Sequence, residues 1–146
     1  MPVYRLGFTA ASAANAAAYA TLNCPTRKGN VHEIDFSLNT AVQTFLGYGT
    51  PANEATPPVV SSSATPVGKP SDIACTARVG TAWSTAPTVP AAYVDQKSLA
   101  AVIGSGWTLK WAPDEFDEIK IAGWRTIWNA GGSTGGSVFV TFLFDE

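Results

Sequence analysis

Charge is what this chain has least of. Charged residues make up 14% of its 146 positions, against roughly a quarter in an average soluble domain. Acidic and basic groups nearly cancel to a formal −2, and the lysines and arginines form no run. The electrostatic footprint of a nucleic-acid binder is therefore missing, and no nucleic acid is expected as a partner. Long apolar runs are missing too. Nothing approaches the ~18 residues of a membrane-spanning helix. The start, MPVYRLGF, lacks a charged segment followed by a long apolar stretch. Neither a membrane nor a secretory leader is expected.

Metal-ligating residues are equally scarce. There is one histidine, His32, and there are two cysteines, Cys24 and Cys75, far apart and without a CxxC spacing. These do not supply a standard zinc set, so no metal and no cofactor are expected. The cysteines read first as two buried free thiols, with a bridge between them left open. A helical stripe is absent as well. TAASAANAAAYATL is rich in alanine, a strong helix former, but has no row of large side chains with which to pack. It reads as an extended, closely packed run with a turn near Asn15.

What is present is period-two alternation. His32, Ile34, Phe36 and Leu38 alternate with Glu33, Asp35 and Ser37, the pattern of a half-buried strand. Asn39-Thr40 and the alternation of Val42, Thr44 and Leu46 suggest a return as a hairpin. Further strands are expected in IACTARVGTAWS, over Tyr93 to Leu99, at Trp107 to Trp111, at Glu118 to Ile121, at Trp124 to Trp128 and in SVFVTFLF. Residues 49–72 are rich in Pro, Ser and Thr and predict a long irregular loop. A chain of this length suits one domain and buries roughly 70% of its extended surface. Together these imply an all-β, single-domain sandwich over 1–146, jelly-roll-like, with one long loop.

Chemistry-bearing patterns give no catalytic site. Gly131-Gly132-Ser133-Thr134-Gly135 matches G-x-S-x-G literally, but a nucleophile elbow needs a helix after the turn. Here a strand follows, and His32 lies far upstream, so a hairpin turn is the reading. Without G-K-[ST] it is no phosphate loop either. His32 reads as a partly buried strand residue. Asp114, Glu115, Asp117 and Glu118 read as a solvated acidic turn rather than a calcium site, because the EF-hand spacing is absent. Of the five tryptophans, four fit inward strand alternation, which favours core or subunit interface over a carbohydrate platform.

The last strand bears most on partners. Val138, Val140, Phe142 and Phe144 form one apolar face, and Phe139 and Leu143 sit on the other. A sandwich strand ordinarily wets one face. The second face therefore calls for cover by the 49–72 loop or a neighbouring subunit. Phe139, Leu143, Pro57, Pro58, Val59 and Val60 are the candidate interface residues.

The order of IDFSLNTAVQTFLGYGTPAN, a Pro/Ser/Thr loop, VGTAWSTAPTVP, IGSGWTLKW, TIWNAGG and an aromatic strand ending FDE resembles small tailed-bacteriophage virion proteins of the β-sandwich capsid decoration, or cement, class. The similarity runs over about residues 31–146, with TAWSTAP and IWNAGG its most telling pieces. It implies a non-enzymatic virion component on the capsid surface, made in the bacterial host cytoplasm. Its expected partners are the major capsid protein and copies of itself in a homotrimer. Another phage part (tail or head–tail connector) and a carbohydrate-binding β-sandwich module are the alternatives.

Overall fold

The computed structural model describes residues 3–53, 59–64, 67–68 and 75–146, with backbone alone for 59–64 and 67–68. Its strands are β1 (Val3–Ala10), β2 (Ala18–Cys24), β3 (Gly29–Leu38), β4 (Thr44–Gly49), β5 (Val59–Ala64), β6 (Val67–Gly68), β7 (Arg78–Thr85), β8 (Asp95–Leu99), β9 (Gly106–Lys110), β10 (Asp117–Ile119), β11 (Gly123–Asn129) and β12 (Val138–Asp145). Two six-stranded sheets face each other. One runs β10-β3-β12-β1-β6, with β9 also on β3; the other runs β5-β7-β2-β11-β4-β8. The fold is an all-β sandwich, as the alternation predicts.

Among the described residues every pairing is antiparallel, yet none joins two strands adjacent in sequence. The expected hairpin of 32–46 therefore does not form. β3 pairs with β12 and β9, while β4 pairs with β11 and β8 in the opposite sheet. The glycine run is likewise not a hairpin turn, because it carries the chain from β11 in one sheet to β12 in the other. Alternation reports which face of a strand is buried and is silent about its neighbour.

The alanine-rich segment is extended, as expected. It ends β1, turns at Asn15–Ala16 and begins β2. The positive φ of that turn falls on Ala16 (60°). The 49–72 segment departs from the expectation, since β5 and β6 lie within it. The stretch 59–65 contains no proline, so its backbone keeps the donors that a ladder requires. β5 pairs with β7 through three register shifts, as an edge strand tolerates.

Residues paired across a ladder share a face, so the register identifies the core. Phe142 lies between Leu6 and Ile34, and Val140 between Phe8 and Phe36. Opposite them Ile127 lies between Ala20 and Tyr48. All except the partly buried Leu6 and Phe8 are buried. Rings pack within this layer, Phe36 on Trp107 at 5.4 Å and Tyr4 on Phe144 at 5.7 Å.

The strand covered on both faces is β11 rather than β12. Arg125 and Ile127 face inward, which leaves Trp124, Thr126 and Trp128 on the outer face of their sheet. Thr126 and Trp128 are nevertheless fully buried. The 86–94 segment crosses over them as a strap. It is held by Val94 N donating to Tyr48 O (2.7 Å), Ala52 N to Thr88 O (2.9 Å) and Asn53 Nδ2 to Ala86 O (3.2 Å). Tyr93 packs on Trp128 with ring centroids 5.7 Å apart. Gly47 makes this close approach feasible, since a Cβ there would lie 2.6 Å from the Tyr93 ring.

Candidate docking surfaces

Four connections converge at one end of the sandwich: 11–17, 39–43, 100–105 and 130–137. They contain no Asp, Glu, Lys, Arg or His. Ala10 and Leu38, where β1 and β3 leave their sheet, both lie beside Val138, where β12 enters it. The loops are tied to this point and to one another. Asn39 N donates to Ser137 O (3.0 Å), Gly104 N to Leu38 O (2.9 Å) and Gly135 N to Ala13 O (2.9 Å). Buried side chains complete the frame. Asn129 Nδ2 donates to Ala13 O (2.8 Å) and Ser133 O (2.6 Å), Tyr19 Oη to Gly136 O (3.0 Å), and Gly136 N to Thr44 Oγ1 (2.8 Å). Burial pushes the Tyr19 phenol up, so it stays a neutral donor. On this neutral frame Val42, Val102, Ile103 and, beside it, Phe139 stand exposed.

The opposite end is charged. Its connections carry Arg27, Lys28, Asp114, Glu115 and Lys120, and Asp145 and Glu146 follow at the end of β12. His32 is the extra residue of a bulge, where the register with β12 shifts between Leu143 and Phe144. Its Nε2 lies 2.7 Å from Asp145 Oδ2, and Asn30 Nδ2 donates to Asp145 Oδ1 at 2.7 Å. The Phe116 ring meets the imidazole edge-on. Ser133 lies at the neutral end, so the G-x-S-x-G serine and His32 form no nucleophile–base pair. Among the described residues no three His, Cys, Asp or Glu side chains are grouped as a metal site.

The acidic turn divides by role. Asp117 is largely buried and pairs with Arg125 through two contacts, Nε–Oδ2 at 2.6 Å and Nη2–Oδ1 at 2.7 Å. Tyr48 Oη donates to the same Oδ2 at 2.7 Å. Asp117 therefore corrects the solvated reading, because it joins β10 of one sheet to β11 and β4 of the other. Glu118 does stay exposed, 3.2 Å from Lys28. Nothing in the sequence distinguishes the two carboxylates except that Arg125 is the one charge in the otherwise apolar alternation of β11.

The candidate interface residues separate in space. Phe139 is 45% exposed on the outer face of its sheet, beside Thr9 and Ser37. Leu143 is half-buried in a groove with Val3 and Arg5. Val59 and Val60 belong to β5, at the edge of the other sheet. Pro57 and Pro58 lie outside the described residues. The outer face of β12 is bordered by polar contacts, Lys110 to Glu33 at 3.2 Å and Thr108 to Asp35 at 2.6 Å.

Cys24 and Cys75 are both buried and free. The Glu146 carboxylate is clamped beside them, accepting from Thr76 N, from Thr76 Oγ1 at 2.9 Å and from Ala77 N at 3.0 Å. No protein-family model, curated protein or solved structure matches this chain.

Proposed function

We propose that this chain is a non-catalytic structural protein of a tailed-bacteriophage virion. It docks as a homotrimer on the capsid exterior and stabilises it by clamping neighbouring subunits of the major capsid protein. The observation that supports protein docking is the set of large apolar side chains left in solvent on a closely packed sandwich. Val102 and Ile103 are 62% and 66% exposed at the tip of one ordered loop, with Val94 and Phe139 at 58% and 45%. Exposed apolar groups gathered on one ordered surface, as Val102 and Ile103 are, mark protein-binding surfaces. The virion setting rests on the resemblance of residues 31–146 to decoration proteins. Attachment at many equivalent points would multiply weak contacts by avidity.

The test is addition of the purified chain to capsid shells of the parent phage that lack it. Saturable co-sedimentation and a higher shell melting temperature are expected. Binding to tails alone would move the assignment to a tail component. Tryptophan quenching by oligosaccharides, without any shell binding, would favour the carbohydrate module instead.

A further inference from the structure

We infer that copies of this chain meet one another through the charge-free end formed by the 11–17, 39–43, 100–105 and 130–137 connections. This rests on the reading of the chain as an assembling structural protein and assigns the self-contact to one surface.

Three observations carry it. First, the four connections contain no ionisable side chain, only small, apolar and uncharged polar residues, while the described connections of the opposite end carry both signs. Depletion of charge is the compositional mark of an interface centre. Second, Val42, Val102 and Ile103 are exposed there by 42–66%. Third, the loops are already fixed by hydrogen bonds donated by Asn129 and Tyr19 and accepted by Thr44, so association has little loop ordering to oppose it.

Charge complementarity selects the occupant. A partner that brought charged groups to this surface would strand them without counter-charges on burial. Nucleic acid and anionic lipid need cations that are not there. The same end of a second copy brings no charge, and its exposed valines and isoleucine match in kind those it would cover.

Sedimentation equilibrium of the full chain at micromolar concentration tests this, alongside Ile103→Asp, Val42→Lys and, at the charged end, Arg27→Glu. All three positions are exposed, and circular dichroism with melting temperature verifies folding. The wild type and Arg27→Glu are expected at a multiple of the 15.2 kDa chain mass. Each buried new charge should weaken association on the order of a hundredfold, leaving folded monomers with the wild-type circular dichroism spectrum and a cooperative melt, lowered only by the stabilisation that association supplied. A wild type that is monomeric, or an oligomer that both neutral-end variants leave intact, overturns the inference. If those variants stay oligomeric but lose shell binding, the neutral end belongs to the shell. The self-contact then fails while the proposed function stands.

Discussion

Burial, reinforced by the Glu146 carboxylate, pushes the thiols of Cys24 and Cys75 up from 9.0 to about 12. The thiolate is the reactive form, so native protein at pH 8 should alkylate with iodoacetamide on the order of a thousandfold more slowly than unfolded protein. Rapid labelling of both thiols in folded protein would contradict this. The same shift has a stability consequence. Between pH 9 and 12 the folded thiols keep protons that the unfolded chain has released, so unfolding becomes easier as pH rises through that window. Cys24→Ala and Cys75→Ala should flatten the alkaline fall in urea-unfolding stability. Elsewhere at this scale, Thr126 Oγ1 and Trp128 Nε1 are buried and find no hydrogen-bond partner among the described residues, a cost usually near 1–3 kcal/mol each.

Strand β12 shows what one element's two faces do. Phe142 is fully buried, against Phe8 at 6.0 Å between ring centroids. Phe142→Ala should cost about 3–5 kcal/mol. Leu143, on the outer face, should cost about 1 kcal/mol when truncated, through partial loss of apolar burial. Equal losses in chemical denaturation would refute the assignment of faces. The strap over β11 gives a second test. Gly47→Ala should drive the Tyr93 ring off Trp128 and lower stability by about 1–3 kcal/mol. A red shift of tryptophan fluorescence should report the opened cover; an unshifted spectrum would mean the strap does not depend on that glycine.

Across the whole molecule, the Asp117–Arg125–Tyr48 group is a largely buried polar tie between the sheets. Both charged side chains are nearly buried, at 14% and 13% exposure. Burial, with the Asp117 charge beside it, holds the Tyr48 phenol well above its usual range and keeps it a donor. Asp117→Asn keeps the shape but removes the carboxylate charge that faces the Arg125 guanidinium. The expected loss is about 3–5 kcal/mol, whereas Lys28→Ala, which removes an exposed pair, should stay within about 0.5 kcal/mol. A small loss in Asp117→Asn would show that this ion pair contributes little to holding the sheets together. The other molecular-scale feature is polarity, one end neutral and the other charged, on which self-assembly is proposed to act.

Alternation, turn residues and the absence of a helical stripe were sufficient by themselves for an all-β sandwich, for most strand positions and for the apolar inner face of β12. These are local properties, set by the period of two and by backbone donors. The pairing of strands was not local. Because the chain changes sheet at most of its turns, Asn39-Thr40 and the glycine run resemble hairpin turns in sequence and serve as crossovers in space. The same distance in sequence hid the strap that buries Trp128, the selection of Asp117 from four neighbouring carboxylates, and the neutral end. That end is four short uncharged segments scattered through a charge-poor chain. Only packing two sheets face to face brings them together, because β1, β3, β8 and β11 all finish at the same end.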